Sequence, residues 1–177
     1  MHQGTELDKA MTNTIKTATT LALILALSAC APLVRRAPAT GAPLSEVMAK
    51  LGKPTAVYPD PDGGQVLEYR GQPMGQFQHM ARIDAGGRLL SYEQVLTDEN
   101  FAQVRIGYWN KDDILRHFGR PAEVSRERVN GDEVWSYRYK EKGVWDTLMN
   151  FTFTKLGVVR QMDTSADPVL DDRNRGF

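Results

Sequence analysis

Leu51-Gly52-Lys53-Pro54 returns as Phe118-Gly119-Arg120-Pro121, a register of 67 from Gly52 to Gly119, and this pair of stretches decides the fold. In each, an apolar residue closes a helical pattern, Gly stops the helix, and Pro two residues on keeps it from resuming. Two further matches follow in the same order. Val66-Leu67-Glu68-Tyr69-Arg70 corresponds to Val134-Trp135-Ser136-Tyr137-Arg138 at a register of 68, and Ile83 with Gly87 corresponds to Phe153 with Gly157 at 70. The drift from 67 to 70 puts the added residues in connections, where insertions are tolerated. The chain reads as one unit written twice.

Each copy follows the same grammar. A helix is expected over 46–51, capped by Ser45, and another over 111–118, capped by Asn110 with Asp113 adding favourable charge in the first turn. Apolar and polar residues then alternate so as to predict three strands per copy, at about 65–71, 76–84 and 88–96, then 133–140, 145–154 and 158–164. Ala85-Gly86-Gly87 and Lys155-Leu156-Gly157 supply hairpin turns. Thr97 is expected to cap a further helix over 98–105, packing through Phe101 and Val104. The expected fold class is α+β: two tandem units, 44–96 and 97–166, each a helix plus three antiparallel strands, together making one helix-covered antiparallel sheet. Strand parity turns Leu67, Tyr69, Ala81, Ile83, Trp135, Tyr137, Phe151 and Phe153 toward the helices. Glu68, Arg70, Met80, Arg82, Ser136, Arg138, Asn150 and Thr152 then form an outer polar face, read either as solvated or as a docking surface.

Before the units, Leu27-Ser28-Ala29-Cys30 reads as a lipobox at the end of an export signal. The apolar run 21–27, preceded by Lys16, is too short for a spanning helix, which needs about 20 apolar residues. Cys30 is the one cysteine of the chain, so it has no disulfide partner within it and is read as the lipid attachment site. The plainer reading is a free thiol after an ordinary signal peptide. Glu6 and Asp8 are out of place in a basic leader, and Met11 is the expected start. Residues 31–43 are Pro-rich and read as a tether; at about 3.1 Å per residue it reaches up to roughly 40 Å. Within it, Arg35-Arg36 either meets anionic headgroups or is simply solvated. Residues 167–177 carry little to bury and read as a disordered tail.

Charge excludes one class of partner. The chain holds 22 basic and 22 acidic residues, and removing 1–29 takes two of each, so no net field favours nucleic acid. Catalytic chemistry is equally unsupported. His79 and His117 belong to no zinc or nucleophile pattern; His117 is placed in the last turn of its helix, and His79 reads as a partly buried imidazole. Asp60-Pro61-Asp62-Gly63-Gly64 begins like a calcium loop, but the twelfth position is Gly71 where a bidentate acid is required, so a turn is expected. No enzyme activity, cofactor or metal is expected. Aromatic side chains are better candidates for contact: Tyr108 and Trp109 in the loop before the second helix are read as partner anchors, with packing under the sheet the alternative for Trp109, while Trp135 and Trp145 are assigned to packing.

Leu96-Thr97-Asp98-Glu99-Asn100-Phe101, Ile106-Gly107, the run from Asp113 to Pro121, and Trp135-Ser136-Tyr137 together resemble the small outer-membrane lipoproteins of the BamE (SmpA/OmlA) type. The resemblance covers 96–164 well and 44–95 more weakly. Two departures stand out: the family's Gly-Met-Thr before the helix is here Gly107-Tyr108-Trp109-Asn110, and its members usually carry one unit. The tandem arrangement resembles β-lactamase-inhibitory protein. These resemblances imply a non-enzymatic, periplasm-facing lipoprotein of the outer membrane. Its partners would be the membrane, through the lipid, and an envelope protein such as the β-barrel assembly machinery; from the residues themselves, Tyr108 and Trp109 of the loop and Arg70, Arg82 and Arg138 of the outer face are the expected partner-binding residues. The alternative they imply is a periplasmic inhibitor of a hydrolase such as a β-lactamase or protease.

Overall fold

The computed structural model describes residues 37–170, which fall in one compact unit of the chain. The signal segment, the lipobox residues Leu27, Ser28 and Ala29, Cys30, the first part of the tether and residues 171–177 lie outside the described residues. The elements run α1 (Leu44–Leu51), β1 (Ala56–Pro59), β2 (Gln65–Arg70), β3 (Gln78–Ile83), β4 (Leu89–Gln94), α2 (Asp98–Phe101), α3 (Lys111–Phe118), β5 (Glu123–Arg126), β6 (Glu133–Glu141), β7 (Trp145–Phe153) and β8 (Val159–Ala166).

This corrects the expected fold class. The strands form two separate four-stranded antiparallel sheets, β1-β2-β3-β4 and β5-β6-β7-β8, in place of two three-stranded pieces of one helix-covered sheet. Each copy gains a first strand that alternation could not reveal. The four residues of β1 pair with β2 from Ala56 opposite Glu68 to Pro59 opposite Gln65, and as an edge strand β1 tolerates its proline. All four residues of β5 are exposed, so no apolar face marks it in the sequence.

The layers explain why one sheet became two. Val47 of α1 packs on Leu67, Ala81, Ile83 and Leu89, covering one face of the first sheet. Ile114 and Phe118 of α3 lie in a second core that joins Val66 and Met80, from the opposite face of that sheet, to Trp135, Tyr137, Phe151 and Phe153 of the other. Helix α3 is thus sandwiched between the sheets. The face expected to be outer and polar is interior at Glu68 and Met80, both buried. A face bearing Val66 and Met80 loses hydrophobic stabilisation unless something covers it.

The duplication extends to individual hydrogen bonds. Leu44 N–H donates to Gly87 O (2.9 Å) and Lys111 N–H to Gly157 O (3.0 Å), joining each long helix to its own hairpin turn. Tyr69 Oη donates to Gly52 O (3.3 Å) and Tyr137 Oη to Gly119 O (2.7 Å), so the tyrosine of each copy caps the end of its helix. Bulges fall at Arg82/Ile83 and Thr152/Phe153, at matching places. Gly52 and Gly119 have φ of 85° and 69°, a backbone region that only glycine enters cheaply.

Two of the helix starts carry the side-chain caps expected of them. Thr97 accepts from Asn100 N–H, and Asn110 forms a reciprocal capping box with Asp113. Two details differ. Helix α1 begins at Leu44 after Pro43, with Ser45 inside its first turn and no side-chain cap. Helix α2 ends at Phe101, four residues short of the expected end, once Phe101 is buried against Phe118 and Tyr139. Among the described residues no helix is long and apolar enough to cross a membrane.

Candidate functional site

Of the five side chains expected to meet a partner, the structure ties three arginines into the fold. Arg70 donates through Nη2 to Pro121 O (2.7 Å), across the joint between the copies. Arg138 pairs through Nε with the buried carboxylate of Asp167 (2.9 Å) and donates through Nη1 to Pro73 O (2.8 Å). Asp167, read as the start of a loose tail, is therefore a fixed internal partner. Arg82 pairs with Asp60. These arginines looked free because their acceptors, chiefly loop carbonyls and distant aspartates, leave no mark in the sequence near them.

The joint is built from long polar side chains. Arg120 donates through Nη2 to Thr55 O (2.7 Å) and through its backbone N–H to Glu68 (3.2 Å), and the Tyr58 hydroxyl donates to the same carboxylate. Burial, then the bond to the Glu68 carboxylate, pushes the Tyr58 hydroxyl well above its ordinary range. Strand β6 runs beyond β5, which pairs only with residues 133–136. Gln72 serves part of the open edge, giving Nε2 to Arg138 O (2.7 Å), and Gln76 Nε2 reaches Tyr139 O (3.2 Å) and Asp146 Oδ1 (2.7 Å). The loop 71–77 is thereby pinned to the β6–β7 hairpin.

Large apolar side chains stand exposed on both of these pinned segments. Met74 and Phe77 lie on the loop, Val144 and Trp145 on the hairpin. Trp145 is 66 % exposed, against its assignment to packing, and borders an open hollow of about 580 Å³ with Thr147, Thr164 and Ala166 on the same face of the second sheet. Trp135, by contrast, is buried against Phe153 as expected. Tyr108 is 77 % exposed beside Arg105, whereas Trp109 is half-buried and packs against His117, ring centroids 4.2 Å apart and planes tilted by 40°. Of the two aromatic residues expected to be anchors, Tyr108 alone is largely exposed, and the exposed Trp145 of the hairpin was not among them. The available signal was Gly143 after Lys142, a tight turn that lifts its neighbours away from the core; both residues have positive φ.

A cleft of about 250 Å³ opens between the copies. Arg82 of β3, Glu93 of β4, and Arg116 and His117 of α3 line it over a floor that includes Met80 and Phe118. Arg116 is held by Asp113 in the preceding helical turn. His117 Nδ1 lies 2.9 Å from Asp113 O, which fixes the proton on that nitrogen in the neutral ring. Burial lowers the His117 pKa, and Arg82 across the cleft adds to the lowering, partly offset by the Asp113 carbonyl. Among the described residues no group of His, Cys, Asp or Glu is arranged to hold a metal ion.

No protein-family model matches the chain, and no curated protein does. Among solved structures, a DUF4309-family protein, YjgB, from Bacillus subtilis subsp. subtilis str. 168 is similar over 70 % of this chain and 77 % of its own, with 12 % identity and a TM-score of 0.31. A likeness of that size carries no functional information.

Proposed function

We propose that the chain is a lipid-anchored envelope protein that works by docking another protein, with no chemistry of its own. The observation that carries this reading is the Leu27-Ser28-Ala29-Cys30 stretch, which makes a membrane surface the place of action. Exposed Met74, Phe77, Val144 and Trp145 on two mutually pinned segments support it. Rigidly held aromatic and apolar side chains give contact area at low entropic cost. On the strength of the sequence resemblance over 96–164, the first partner to test is the machinery that inserts β-barrel proteins into the outer membrane.

The test is photo-cross-linking in native membranes from residue 145, with residue 156 at the tip of the β7–β8 hairpin as a still more exposed control. The account expects a discrete protein adduct from 145 and none from 156, and barrel-assembly subunits within it. A hydrolase in the adduct, inhibited in proportion to the amount of this protein, would establish the inhibitor reading in its place. No adduct from 145 would overturn the docking role of the hairpin.

A further inference from the structure

The cleft between the copies holds opposite charges that do not pair with each other. Glu93 accepts from the Ser91 hydroxyl (3.3 Å) and forms no ion pair among the described residues. Beside it on the neighbouring strand is Arg82 and across the cleft on α3 is Arg116, each with one guanidinium nitrogen committed to an aspartate, Nη1 to Asp60 and Nη2 to Asp113. Their other N–H groups remain donors, since a guanidinium carries five. The two aspartates cancel the formal charge of the two arginines, so a bare anion gains little net attraction there. What is left is a gap with a hydrogen-bond donor and a carboxylate, Arg82 and Glu93, on the sheet wall and a second donor, Arg116, on the helix wall opposite.

Size narrows the choice. A volume of about 250 Å³ equals roughly eight waters, or a ligand of similar heavy-atom count. The floor at Val66, Met80, Val95 and Phe118 is apolar and suits a short carbon skeleton. His117, neutral and oriented by Asp113 O, contributes an acceptor at Nε2 without adding charge.

We infer that this cleft binds a small zwitterion of the α-amino-acid class, its carboxylate on the free N–H groups of Arg82 and Arg116 and its ammonium on Glu93. The cations sit on both copies, Arg82 in the first and Arg116 in the second, so the ligand bridges the joint and stiffens it. This goes beyond the docking role and does not depend on it.

The probe is L-alanine, titrated into the whole protein while the Arg Nε and His117 ring resonances are followed by NMR, with acetate and ethylammonium as separate arms. L-Alanine shifts these signals saturably at millimolar concentrations, and each half-molecule binds at least about tenfold more weakly, because each loses one charge-assisted contact. Glu93→Gln, an exposed position whose replacement leaves the core intact, weakens alanine binding by about tenfold as well. Arg116→Gln gives a second check from the other wall. Absence of saturation, acetate binding as tightly as alanine, or unchanged affinity in Glu93→Gln would each overturn the inference.

Discussion

Replacing Gly119 by alanine, in parallel with Gly52, measures how firmly α3 is wedged against the first sheet. The two glycines end equivalent helices with similar backbones, φ 85° and ψ −169° at Gly52 and φ 69° and ψ −162° at Gly119. A side chain in that region costs about 1–3 kcal/mol at either site. The surroundings differ. A Cβ on Gly52 meets nothing within 4 Å, while one on Gly119 falls 2.1 Å from Gln78 Nε2 and 3.0 Å from Glu68 Cδ. Both of those side chains are fully buried, so neither can swing away, and overpacking adds about 1–3 kcal/mol. Gly119→Ala should therefore be about 2 kcal/mol less stable than Gly52→Ala, or roughly 8 °C lower in melting temperature for a body of this size. Urea unfolding followed by tryptophan fluorescence and by far-ultraviolet circular dichroism reads the difference. Equal losses in the two variants would refute the sandwich of α3 between the sheets.

Three more outcomes follow from the same contacts. Tyr137→Phe removes a buried bond to Gly119 O and should cost about 1–3 kcal/mol, whereas Tyr69→Phe, whose bond is longer and more exposed, should cost less than about 0.5 kcal/mol; denaturant midpoints compare them. Arg138→Met leaves the Asp167 carboxylate buried without its partner and should destabilise by about 3–5 kcal/mol in the same assay, a loss that Asp167→Asn largely relieves when combined with it. Burial lowers the pKa of both His79 and His117, so the unfolded chain binds protons that the folded one refuses. Stability is then full above the unfolded histidine pKa of 6.5 and falls as pH drops below it toward the folded values; replacing both histidines by Gln should flatten that slope in a pH series of melting curves.

The repeat and its punctuation were legible because they are local. Thr97, Asn110, Gly52, Gly119 and the two hairpin glycines act through the backbone within a few residues, and strand parity sorted the faces of β2, β3, β6 and β7 correctly. What escaped was long-range. Strands β1 and β5 are four residues each, and β5 has no buried position to produce alternation. The face carrying Glu68 and Arg82 read as an outer surface, solvated or docking, although Val66 and Met80 on that same face already marked a strand pair covered on both sides. Glu68, Arg70 and Arg138 were misread for one reason: a charged residue is assigned to solvent by default, and here each finds carbonyls, a hydroxyl or a carboxylate contributed from ten or more residues away. Trp145 was misplaced in the opposite sense, since a tryptophan in a strand pattern is usually covered.

Attachment to a bilayer through Cys30 is the central proposal for this protein. Metabolic labelling with a palmitate analogue, comparing the natural chain with Cys30→Ala, tests it most directly. The natural chain should take up label and partition with membranes, and the variant should do neither. An unlabelled natural chain that stays in the soluble fraction with a titratable thiol at residue 30 would contradict it.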